Sequence, residues 1–125
     1  MITAHFPTLI YETQLNHDNS ELLELALSMR DNDSSVSTSW FCDTYNTIGK
    51  YNIVEDSNHT ALVDQIISHV KIFAREYGIN APVISNKDGW INVALENEFQ
   101  EFHQHPNSHF SCRVLLRGLR RCRAF

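Results

Sequence analysis

No stretch of this chain approaches the ~20 consecutive apolar residues of a membrane-spanning helix, so no membrane role is expected. Basic residues are not in excess. The formal charge is −5, which argues against nucleic-acid binding as the main role. Cysteine is scarce: Cys42, Cys112 and Cys122 are odd in number and form no CxxC pair, so neither a disulfide framework nor a thiolate zinc site is suggested. The start, Met1-Ile2-Thr3-Ala4-His5-Phe6-Pro7, lacks the basic residues and apolar run of a signal peptide, and a cytoplasmic location is expected. There is no internal repeat and no low-complexity tract. The most informative absence is local: no acidic side chain follows Glu101.

What is present suits one domain. The chain has 125 residues and a hydrophobic fraction of 42%, enough for a packed core. Residues 1–111 carry five basic against 15 acidic side chains, a net −10, whereas the last 14 residues carry Arg113, Arg117, Arg120, Arg121 and Arg123 without an acid. Composition therefore breaks between Ser111 and Cys112, dividing a body, 1–111, from an arginine-rich tail, 112–125.

Within the body, residues 6–15 are β-prone around Leu9, Ile10 and Tyr11. Asp18 and Glu21 have capping-box spacing and open a helix through Met29, with Leu22, Leu23, Ala26 and Met29 on one face. Residues 36–58 are rich in Ser, Thr, Asn and Asp and read as mostly loop, pinned to the core by Trp40, Phe41 and Tyr45. Leu62, Val63, Ile66, Ile67, Val70, Phe73, Ala74 and Tyr77 predict a second helix, capped by Gly78, with its apolar face against a sheet. After Pro82 the pattern turns to β. Val83 and Ile84 begin a short strand, residues 86–89 form a turn, and residues 90–95 alternate, with Ile91, Val93 and Leu95 on one side and Trp90, Asn92 and Ala94 on the other. A polar connection, Glu96-Asn97-Glu98, leads to a last short strand over 102–105, stopped by Pro106. Helices followed by strands indicate an α+β fold.

The sharpest chemical feature is His103-Gln104-His105. On a strand, residues i and i+2 project from one face, so both imidazoles can reach one metal ion, and neutral imidazole suits Fe, Zn, Cu and Ni. Two surface histidines also share this spacing. His109 could add a ligand or be an exposed loop residue.

The surroundings make the pair more specific. Trp90-Ile91-Asn92-Val93 lies one strand and turn before it, Phe99 and Phe102 follow, and His103-Gln104-His105-Pro106-Asn107-Ser108-His109-Phe110-Ser111 completes the pattern. Over about residues 86–111 the chain resembles small bacterial and phage proteins assigned as 2-oxoglutarate/Fe(II)-dependent oxygenases. The resemblance implies helices packed on a double-stranded β-helix (jelly-roll) core, with Fe(II) and 2-oxoglutarate as cofactors for C–H hydroxylation. It places His103 on the first metal-ligand position and His105 where the family usually has a carboxylate. Asn92 could hydrogen-bond the site from behind or merely satisfy neighbouring backbone, and Trp90 is expected in the core.

After Ser111 the family pattern continues as an apolar, tyrosine-rich strand, and this chain does not. One permitted back-translation from Cys112 onward, moved by one base, reads Ala-Val-Tyr-Tyr-Leu-Glu-Ala-Ser-Glu-Asp-Ala, which restores that strand and the missing acids. The sequence thus suggests a frame change at Cys112, leaving an incomplete jelly roll without the distal histidine or the 2-oxoglutarate anchor, and inactive as an oxygenase. The alternative for the tail is a genuine basic helix with a stripe of Leu115, Leu116, Leu119 and Cys122. At the level of function, the alternatives are a small non-catalytic metal-binding or interaction module using His103, His105 and His109, or an α+β domain with no metal role. Substrate and oligomeric state are not written in these residues.

Overall fold

The computed structural model describes residues 8–33, 44–80 and 84–116. In chain order it has helix α1 (Ser20–Asn32), strand β1 (Tyr45–Asn46), a single 3₁₀ turn (Ser57–His59), helix α2 (Thr60–Glu76) and strand β2 (Asn92–Val93). The two strands pair antiparallel, Tyr45 with Val93 and Asn46 with Asn92. Helix and strand therefore mix as expected, but among the described residues the sheet has two strands and no jelly roll is present.

Helix α1 begins at Ser20 and not at Asp18. The Asp18 carboxylate accepts from the Ser20 N–H at 3.0 Å and from the Ser20 hydroxyl at 2.6 Å, while Asn19 occupies the cap position without a side-chain cap bond. The helix also outruns Met29 to Asn32, whose side-chain amide donates to the Ser28 carbonyl at 2.8 Å. Leu22 and Ala26 form its buried face.

Helix α2 matches its apolar periodicity. It ends in a Schellman motif: Gly78 sits at φ +79°, its N–H donates to the Arg75 carbonyl at 3.0 Å, and the Ile79 N–H donates to the Ala74 carbonyl at 2.8 Å. The apolar face does not lie on a broad sheet. Its first turn supplies Leu62, which packs with Leu22, Ala26 and Ile91 in the core, with Ile53, Ile66, Val93 and Leu116 around them. Near its C-terminal end, Phe73 stacks on Tyr11 and Tyr77 and meets Phe110 edge-on.

That aromatic group explains one failed strand. Residues 8–15 form no strand: Tyr11 docks on α2 instead, with its hydroxyl 3.0 Å from His69 Nδ1, while Leu9 and Ile10 stay exposed. The strand expected over 90–95 shrinks to Asn92–Val93 for a local reason. The Thr47 N–H donates to the Ile91 carbonyl, but the Ile91 N–H is taken by the Thr47 hydroxyl at 3.0 Å, so a side chain ends the backbone ladder. The expected face alternation survives at Ile91, which is buried, and Asn92, which is exposed.

Three other expectations change. Residues 86–89 make no turn; Gly89 instead brings backbone against the 52–54 loop, with its N–H donating to Asn52 Oδ1 and its carbonyl accepting from the Ile53 N–H. Residues 102–105 form no strand, because Phe102 points fully into solvent and the segment has no strand partner among the described residues. The loop read over 36–58 contains β1, and Tyr45 is buried there as expected. Trp40, Phe41, Val83 and tail residues 117–125 lie outside the described residues. Tail residues 112–116 are irregular and not helical, and Leu116 packs against the core.

Candidate functional site

The chain segment carrying the histidines is shaped by two turns. At 95–98 the Glu98 N–H donates to the Leu95 carbonyl, with Asn97 at φ +71°. At 105–108 the Ser108 N–H donates to the His105 carbonyl, with Pro106 second and Asn107 third at φ +67°. Proline followed by a positive-φ asparagine is the chemistry of a type II turn. The first turn is fastened to α1. Arg30 makes two bonds to the Glu98 carboxylate, at 2.9 and 2.6 Å, and a third to the Val93 carbonyl at 2.7 Å. Glu98 also accepts the Leu95 N–H at 2.7 Å. The Arg30 hydrogen bonds hold the Glu98 carboxyl below its ordinary value of 4.5; the Leu95 N–H adds to this and burial opposes it.

Between the turns His103 and His105 converge, even without a strand beneath them. Their Nε2 atoms are 3.0 Å apart and their rings meet edge-on at 4.7 Å. His103 Nδ1 lies 2.8 Å from the Glu101 carbonyl. Only a protonated nitrogen can bond a carbonyl, so Nδ1 carries the hydrogen, and in the neutral ring His103 Nε2 holds a lone pair. In this arrangement His105 donates from its own Nε2. Trp90 is half-buried, and its indole stacks on the His105 ring at 5.6 Å, steadying the ring from one side. Trp90 therefore touches the site and is not a core residue.

The donor set fits two positions on a metal. Nitrogens each about 2.1 Å from one ion stand about 3.0 Å apart at a right angle and about 3.4 Å apart at a tetrahedral one. The Nδ1–H bond of His103 to a backbone carbonyl is the usual way a ligand imidazole is oriented. A shared ion would need a proton shift within His105, from Nε2 to Nδ1, and a small turn of both rings. Among the described residues no third His, Cys, Asp or Glu joins them. His109 is exposed beyond the turn and is not brought to the pair. Asn92 is exposed on β2.

A second charged group lies apart from the histidines. The Tyr51 hydroxyl donates to Asp56 at 2.8 Å; burial, with that carboxylate beside it, pushes the phenol well above its ordinary range. The Asp56 carboxyl is lowered, chiefly by the Asn58 N–H and then by the Tyr51 hydroxyl. This group caps the entry to α2 and is read as structural. A cleft of about 440 Å³ is lined in part by Tyr51, Asn52, Glu55, Asp88 and Trp90.

Sequence reasoning missed Asn46. It is buried, and it lies opposite Asn92 in the strand pair. Its position in a run of small polar residues gave no signal, because β1 itself was hidden there. Comparison with protein-family models, with curated proteins and with solved structures finds no match.

Proposed function

We propose that this chain carries the N-terminal part of a 2-oxoglutarate/Fe(II)-dependent oxygenase domain, with His103 and His105 as two of its iron ligands. The observation that carries the reading is the convergence of the two Nε2 atoms at 3.0 Å, with His103 Nδ1 engaged by a backbone carbonyl. The motif from Trp90 to Ser111 supplies the family, and the β1–β2 pair is read as the start of its jelly-roll core. A cytoplasmic setting belongs to the same reading. Iron bound with 2-oxoglutarate and O₂ supplies the oxidant for C–H hydroxylation in such proteins. The chain's own part is to hold two imidazoles, fix the tautomer of one and brace the other against Trp90.

Two ligands hold a metal weakly, and the described residues contribute no third. The 125-residue chain is therefore expected to bind Fe(II) weakly and to release no succinate from 2-oxoglutarate. Anaerobic calorimetric titration with Fe(II) tests the first point: one weak site per chain is expected, lost when both histidines are replaced by alanine. Succinate release by the purified chain would contradict the second.

A non-catalytic metal-binding module is the second reading, favoured by the exposure of His103 at the surface. It predicts tight stoichiometric binding in the same titration. Retention of the same metal by the double alanine variant would exclude both readings.

A further inference from the structure

The cleft of about 440 Å³ is lined by residues from two stretches of chain, 48–55 and 88–90. One side chain ties them together. Asn52 Oδ1 accepts the Gly89 N–H at 3.0 Å and the Val54 N–H at 3.1 Å, while Nδ2 donates to Glu55 Oε1 at 3.2 Å. The Ile53 N–H adds a bond to the Gly89 carbonyl at 2.9 Å. The two stretches are therefore fixed to each other by hydrogen bonds, and Glu55 is oriented by the same amide.

Three charged side chains line the cleft, and they are not equivalent. Lys50 is engaged elsewhere: its Nζ lies 2.6 Å from Asp33 Oδ2 and 5.9 Å from the centre of the Tyr45 ring. Asp33 and Tyr45 line a separate, smaller cleft. Glu55 and Asp88 are exposed, and neither joins an ion pair among the described residues. The cleft thus offers two carboxylates without a cationic partner. Its aromatic side includes Trp90, the indole that stacks on His105.

An indole beside two carboxylates favours a cation, because the ring face and the acids attract the same charge. A planar guanidinium uses both: it stacks on the ring and directs its N–H groups in plane to carboxylate oxygens, whereas an ammonium is a point charge that cannot stack. The volume lies within the range of small-ligand sites, about 300–1,000 Å³.

We propose that this cleft binds the guanidinium of an arginine side chain, held against the Trp90 indole and paired with Glu55 and Asp88. Because Trp90 also braces His105, the cleft is where the substrate's charged group sits beside the histidine pair. That placement rests on the reading of the histidines as an iron site; the cation site itself does not.

The full chain, isotope-labelled and at low salt, is titrated with N-acetyl-arginine amide under nuclear magnetic resonance. N-acetyl-citrulline amide, planar and of the same shape but uncharged, is the control. The arginine probe shifts the Trp90 indole N–H and the Gly89 N–H, and it binds about fivefold or more tightly than citrulline. Glu55→Gln combined with Asp88→Asn, at two exposed positions, brings the two affinities within about twofold of each other. No arginine binding, equal affinity for citrulline in the unaltered chain, a preference that survives the double substitution, or shifts centred away from Trp90 would each overturn the proposal. If arginine binds as described while the Fe(II) titration finds no site at the histidines, the iron reading fails and the cation site stands. Fe(II) binding at the histidines without arginine binding removes the cation site alone.

Discussion

Arg30 and Glu98 are the residues on which the shape of the histidine segment most depends. Their carboxylate–guanidinium pair is mostly buried, with side-chain exposures of 19% and 17%, and Arg30 also holds the Val93 carbonyl. Removing one partner strands the other and frees the 95–98 turn. Arg30→Ala should cost about 2 kcal/mol, between the values for exposed and fully buried pairs, as read by urea denaturation. The pH dependence has a definite sign. The folded Glu98 pKa lies below its unfolded value of about 4.5, so its stabilisation is complete above that value and is lost as pH falls through the lower folded one. Denaturation curves from pH 7 downward should show this loss in the unaltered chain and a flatter profile in Glu98→Gln. Equal pH slopes in the two proteins would remove the pair from the account.

At the scale of elements, close approach decides more than periodicity does. Gly89 lets β2's leading segment lie against the 52–54 loop. A Cβ there would stand 2.6 Å from Ile53 Cγ2 and 3.1 Å from Val54 Cγ2. Both neighbours are β-branched and stiff, so Gly89→Ala should destabilise by about 1–3 kcal/mol and lower the thermal midpoint. An unchanged midpoint would mean that the loop and strand do not meet as described. Helix α2 was legible because eight apolar residues repeat at helical spacing and Gly78 closes it. The strands were less so. Ending the ladder at Thr47 required a hydroxyl to take the place of a carbonyl, which no pattern of hydrophobicity records. Residues 8–15 have strand-forming composition, yet Tyr11 found Phe73 on a helix, a contact set by tertiary packing alone.

For the whole molecule, a small core around Leu62, which is 1% exposed, supports a site that sits at its surface. The histidine pair was legible in the sequence as spacing, but for a reason that does not operate here. The imidazoles converge without a strand, because Trp90 braces one ring, the Glu101 carbonyl orients the other, and a proline–asparagine turn closes the segment behind them. The burial of Asn46 was not legible, since it arises from packing at a strand pair hidden in a run of small polar residues. The central claim is that His103 and His105 together form the chain's metal-binding locus. Titrating paramagnetic Co(II), as a stand-in for Fe(II), into isotope-labelled protein under nuclear magnetic resonance tests it directly. The account predicts that signal broadening begins at His103, His105 and the Trp90 indole and spreads outward from them. Broadening that begins at His17, His69 or His109, or none at stoichiometric metal, would contradict it.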